Sequence, residues 1–237
     1  MSAAGAAGDA RGGSRWVYLW HWPIRAMHWL AAGSIVALIA TGFYIGRPYF
    51  MTGGEASEHF LMGRMRFVHF VAAAVLVGTA VVRVYWLFAG NRYERWTALF
   101  PVTPKSIRGL FQMVGYYLML PGARHPRYLG HNPLQQLSYT GIYVAAALAV
   151  VTGFALYAQA EPGGLIWRLT AWWLPFFPGG LRGVRLVHHV LTWVFLIFIP
   201  LHVYLALRAD VMDREGTASS ILSGGRWVPA GQRFEDE

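Results

Sequence analysis

The sequence predicts an all-α fold, an integral membrane bundle of four helices running up and down, and three observations carry that prediction. Of 237 residues, 56% are hydrophobic and 13% charged, and the mean hydropathy is +0.38, outside the balance of a soluble domain. Four apolar stretches, at about 24–46, 67–89, 137–159 and 184–207, match the roughly 20 residues that a helix needs to cross a bilayer. Most Lys and Arg residues collect on one side of those stretches.

Taken in order, residues 1–15 begin Ala/Gly-rich and are expected to form a disordered cytoplasmic tail. No short apolar run with a small-residue cleavage site precedes the first span, so a cleaved signal peptide is not expected. The four-helix domain is placed at 16–212, and 213–237 is read as a second cytoplasmic tail. His21, in a Trp-rich approach to Pro23, and His59, in the first outer loop, are expected at the membrane interface. The second loop, 90–136, contains an amphipathic stretch at 104–120, with Ile107, Leu110, Phe111, Val114 and Leu118 at helical spacing behind Pro104. It is expected to lie along the cytoplasmic interface. The third loop, 161–183, carries Trp167, Trp172, Trp173, Phe176 and Phe177, the composition of an aromatic belt on the outer side.

Arg11, Arg15 and Arg25, the basic residues from Arg83 to Arg127, and Arg208, Arg214, Arg226 and Arg233 place both termini in the cytoplasm. The net charge of +9 and pI near 10.2 are explained by this topology, since the cations are spread through loops and tails; no nucleic-acid partner is expected. With no cysteine, disulfides, thiolate-bound clusters and covalently attached haem are excluded.

Four histidines lie in the spans. His188 and His202 are fourteen residues apart, a spacing that returns a helix to within about 40° of its starting direction after a rise of about 21 Å. They therefore share one face of the fourth helix, near opposite ends. His189, thirteen residues from His202, points away and is the weaker ligand candidate. Up-down order brings His28 beside His202 on the cytoplasmic side and His69 beside His188 on the outer side. Two axial imidazoles without an open position suit low-spin haem, so the bundle is expected to hold two haems b as bis-histidine sites. Zinc would need further ligands that no span supplies.

Gly42 sits fourteen residues after His28 at the outer depth, where a bulky side chain would collide with a porphyrin. Thr152-Gly153-Phe154 in the third span repeats Thr41-Gly42-Phe43 in the first. Arg83, fourteen residues after His69, faces the bundle and calls for a haem propionate or a quinone carbonyl as partner. Arg66 and Arg185, each three residues before an outer histidine, are candidate propionate partners. Plainer readings stand beside these: polar contacts between helices for the histidines, helix packing for the glycines, and snorkelling for Arg83.

The segments Trp22-Pro23-Ile24-Arg25-Ala26-Met27-His28-Trp29, Arg66-Phe67-Val68-His69, Arg83-Val84-Tyr85-Trp86, Gly90-Asn91-Arg92-Tyr93, His125-Pro126-Arg127-Tyr128-Leu129-Gly130-His131-Asn132-Pro133-Leu134, and His188-His189 with His202-Val203-Tyr204 carry a resemblance. Over 16–214 the chain resembles the b-type cytochrome subunit of membrane-bound nickel–iron hydrogenases, within the di-haem cytochrome b family that includes the formate dehydrogenase gamma subunit. The 125–134 segment is the most specific to the hydrogenase branch; His21 and the first outer loop, 48–63, depart from the pattern. The resemblance implies that His28, His69, His188 and His202 bind haem iron. It also implies a bacterial inner membrane location, an iron–sulfur small subunit and a large subunit as partners, and electron transfer to a quinone.

Hydrogen chemistry would then lie on the partner subunits and quinone reduction on this chain. His131 and Asn132, at the entrance to the third span, are candidate quinone residues, with a helix cap as the alternative for Asn132. The same relay serving formate dehydrogenase or a sulfur-compound reductase, and a non-redox membrane anchor or assembly protein, are the alternative functions.

Overall fold

The computed structural model describes residues 13–51, 53–54, 59–122 and 126–237. Residues 1–12 of the tail expected at 1–15, and His125, lie outside them.

Four long helices form the bundle: α1 (Trp22–Gly46), α2 (Leu61–Ala89), α5 (Pro133–Tyr157) and α7 (Leu181–Asp213). All four are long and apolar enough to cross a membrane. Each begins before the span read from hydropathy, because the backbone hydrogen-bond ladder continues beyond the apolar run. Pro23 lies in the first turn of α1, and Asn132 caps α5 at Pro133. At its other end α7 runs on to Arg214, which stops it in the left-handed conformation (φ 54°).

α1 packs mainly against α2, and α5 against α7. A core of Ala145, Leu191 and Phe195, flanked by Ile35 and Ile39, joins these pairs. Much of the remaining apolar surface is exposed on the protein, Phe67, Val81, Ile197 and Leu201 among it, as expected of helices whose outer faces meet lipid.

The loop between α2 and α5 holds a short helix, α3 (Trp96–Leu99), and the amphipathic α4 (Pro104–Tyr117), with Thr103 Oγ1 accepting from the Ser106 amide at 3.1 Å. Met113 of α4 is buried, whereas Ile107, Phe111 and Leu118 are exposed, an apolar stripe suited to an interface. At the opposite end α6 (Leu165–Ala171) and a 3-10 turn (Leu174–Phe176) bridge α5 to α7, with Trp172 and Phe176 exposed.

Regular structure also forms within 213–237, read as a tail, and begins at Ser14 near the end of the first. Strand β1 (Ser14–Tyr18) pairs antiparallel with β2 (Gly225–Pro229), Ser14 opposite Pro229 and Tyr18 opposite Gly225. The short α8 (Ser220–Ser223) precedes β2. Leu19, Trp20, Tyr93, Leu129, Val228 and Phe234 form a second core beneath them. The Asp236 carboxylate accepts from the Leu129 and Gly130 amides, both at 2.7 Å, and the buried Arg226 pairs with Glu215. This cap closes the end of the bundle that carries His28 and His202.

Candidate haem-binding sites

At the cap end, His28 of α1 and His202 of α7 face one another with ring centroids 6.3 Å apart and planes inclined at 51°. Phe198 stacks on His202 at 5.4 Å, one turn earlier on α7. At the other end, His69 of α2 and His188 of α7 are electrostatic neighbours. Each is held by a threonine from the adjacent helix: Thr41 Oγ1 lies 2.9 Å from His69 Nδ1, and Thr152 Oγ1 lies 2.9 Å from His188 Nδ1. A Cβ on Gly42 would stand 3.4 Å from His69 Cε1, and one on Gly153 would stand 3.3 Å from His188 Cε1. The glycines therefore make room for the imidazoles themselves. His189 turns elsewhere, accepting from Trp193 Nε1 at 3.3 Å and packing on Phe43.

Arg83 is buried and faces the bundle, but its partners are protein atoms. Nη1 and Nη2 donate to the Glu94 carbonyl at 3.2 and 3.1 Å, and Nε donates to the Tyr143 hydroxyl at 3.2 Å. Arg66 and Arg185 are exposed and make no hydrogen bond with the described residues.

Glu94, only 2% exposed, is a site that sequence reasoning missed. Its carboxylate accepts from the His21 amide at 2.6 Å, Trp86 Nε1 at 2.9 Å and the Asn91 amide at 3.2 Å, and pairs with His21 Nδ1 at 2.9 Å. Burial alone would raise its pKa, but the hydrogen bonds from His21, Trp86 and Asn91 outweigh burial and hold it below the ordinary carboxylate value. A lone acid in a loop carries no period or spacing that would single it out.

His131 stacks on Trp20 at 5.0 Å and meets Tyr139 edge-on at 4.9 Å; Tyr139 in turn lies 6.2 Å from the His202 ring. Burial, with the nearby Arg83 guanidinium and His202, pushes His131 down to about 4, so its imidazole is neutral at pH 7. Asn132 is engaged as a helix cap: its Oδ1 accepts from the Gln135 amide, and Gln135 Oε1 accepts from the Asn132 amide, each at 2.9 Å. A cavity of about 190 Å³ beside His131 is lined also by Tyr93, Lys105, Gln136, Glu235 and Asp236.

Residues 19–224 match the family model for prokaryotic cytochrome b561. The chain belongs to the prokaryotic cytochrome b561 family. Several relatives carry the name probable Ni/Fe-hydrogenase B-type cytochrome subunit. One from Bradyrhizobium diazoefficiens is 38% identical, covering 94% of this chain and 91% of its own. Another, from Azotobacter chroococcum, is 41% identical, covering 89% and 88%. An Escherichia coli K12 protein, named the corresponding hydrogenase 1 subunit, is 33% identical and covers 88% and 90%.

A cytochrome of this family is an integral membrane protein that holds haem b, and the donor set fits that group. Two metal–imidazole bonds of about 2 Å, with about 1.1 Å from each ring nitrogen to its ring centre, sum to roughly 6.3 Å between centroids. The cytochrome presents that separation between His28 and His202. Its other pair, His69 and His188, is already oriented by the threonines. Of the residues singled out from sequence, the structure thus brings the four histidines into two pairs and sets Gly42 against His69. Arg83 lies on Glu94, Asn132 in a cap, and Arg66 and Arg185 are exposed near the N-terminal ends of their helices.

Proposed function

We propose that this cytochrome is the membrane anchor and electron-transfer subunit of a nickel–iron hydrogenase, with both termini in the cytoplasm of a bacterium and the hydrogenase on the outer face. Haem b, held by His69 with His188 and by His28 with His202, supplies a reversible one-electron iron couple at each site. The observation that carries the reading is the stacking of two histidine pairs at opposite ends of one bundle, joined by α7, which contributes a ligand to each.

Each part of the chain has a task in this scheme. The exposed aromatics around α6 offer a surface to the iron–sulfur small subunit, whose large subunit carries the hydrogen chemistry. Electrons leave at the cap end, where a quinone takes up two electrons and two protons to become a quinol. His131, neutral and set between Trp20 and Tyr139, is placed to bind a quinone oxygen, and the adjoining cavity opens toward the cytoplasmic cap. Because Asn132 is already bonded within the helix cap, His131 is the stronger member of that pair.

The test is an optical difference spectrum of membranes containing the cytochrome and its native partners, with hydrogen, formate or dithionite added separately. Reduction of haem b by hydrogen, abolished by His69→Ala or His188→Ala, is the expected result. Reduction by dithionite but not by hydrogen would overturn the hydrogenase assignment and leave a cytochrome b with a different donor.

A further inference from the structure

Thr41 on α1 and Thr152 on α5 stand in equivalent relations to histidines on the helices packed against them. Thr41 Oγ1 lies 2.6 Å from the Ala37 carbonyl, and Thr152 Oγ1 lies 2.6 Å from the Leu148 carbonyl, four residues back in each helix. A hydroxyl has one proton, and a contact that short between two oxygens requires the proton between them. Toward the histidine, then, each Oγ1 can only accept. The proton of the 2.9 Å contact belongs to Nδ1 of His69 and of His188.

We propose that Thr41 and Thr152 are positioning residues for the outer haem, each fixing its histidine as the Nδ1–H tautomer with Nε2 left as the ligand nitrogen. The inference rests on the assignment of His69 and His188 as axial ligands. The glycine after each threonine completes the device. The hydroxyl holds Nδ1, and the missing side chain lets the adjacent Cε1 approach to 3.3–3.4 Å of where a Cβ would be. Thr41-Gly42 and Thr152-Gly153 are thus one device used twice, once from each helix pair.

A donor N–H bonded to an oxygen acceptor makes the imidazole a stronger base, and such outer partners are worth about 10–100-fold in metal affinity. A stronger base favours ferric over ferrous iron, so this pair of bonds lowers the potential of the outer haem. Among the described residues no hydrogen bond reaches the rings of His28 or His202, so the effect is confined to one site.

The experiment is a redox titration of the cytochrome in its hydrogenase complex, followed optically and by the low-spin ferric EPR signal, with total haem measured. His69→Ala first identifies the titration wave that belongs to the outer site. If wild type binds fewer than two haems, or His69→Ala removes none, the ligand assignment fails before any threonine is considered. Given that assignment, Thr41→Ala and Thr152→Ala should each raise the midpoint of the outer wave and change its EPR signature while leaving the inner wave in place. A tenfold loss of ferric preference corresponds to about 59 mV. Thr41→Ser and Thr152→Ser should restore wild-type behaviour. Outer potential and EPR signal unchanged in both alanine variants would overturn the proposal. If an alanine variant loses haem, the serine variant decides: recovery of haem at the wild-type potential supports the hydroxyl's role, and failure to recover overturns it.

Discussion

Glu94 shows how much a single carboxylate can hold at the edge of a membrane. Its four contacts tie the start of α1 to the end of α2, and its carbonyl takes the Arg83 guanidinium. Glu94→Ala strands several of these donors, each costing about 1–3 kcal/mol when buried, and should lower the thermal midpoint of the detergent-solubilised protein by several degrees. The pH dependence has a definite sign. Glu94 titrates lower in the folded than in the unfolded state, so its contribution is complete above the ordinary carboxylate pKa and is lost as pH falls through the depressed folded value. Glu94→Gln should therefore flatten the acid limb of a stability–pH curve by lowering its neutral and alkaline plateau, while leaving stability below the folded pKa little changed. Asn132 offers a second test at this scale. Asn132→Ala removes an N-cap and should cost about 1 kcal/mol, with haem content and quinone reduction unchanged if the cap is its whole role.

Among the elements, α1 and α5 each carry the Thr-Gly step that receives a histidine. Gly42→Leu or Gly153→Leu would drive a side chain into His69 or His188 and should lower the haem content read from the spectrum. Gly78→Leu, on α2 with open space around its Cβ position, is the control that should leave the haem content unchanged. This device was half legible in the sequence. The repeated Thr-Gly-Phe is visible, but periodicity shows which face a residue takes and not which atom it meets, so the approach of each glycine to an imidazole is not readable there. Helix limits were legible only to within a turn or more. Hydropathy reports where lipid stops, whereas α2 starts at Leu61 and α7 continues to Asp213 because their hydrogen-bond ladders continue past it.

For the whole molecule, the four spans and the pairing of His28 with His202 followed from chain direction and the fourteen-residue spacing. The cap did not, because β1 and β2 are short, distant in sequence, and of ordinary strand composition. Their pairing depends on a core assembled from five separate segments, including Trp20, Tyr93, Leu129 and Phe234, and no local pattern encodes that convergence. Deleting 225–237 would remove β2, Phe234 and the Asp236 clamp together. The expected outcome is retention of all four spans with faster proteolysis near Tyr128, read by limited digestion of inside-out vesicles; an unchanged digestion pattern would show that the cap holds without them.

The strand pairing also orders events during synthesis. Ser14–Tyr18 leaves the ribosome early, yet its partner emerges only after α7 has been threaded into the bilayer. Until then Leu19 and Trp20, both buried in the finished protein, lack the strand that covers them. That end of the bundle can therefore be latched only after both α7 and β2 have been made.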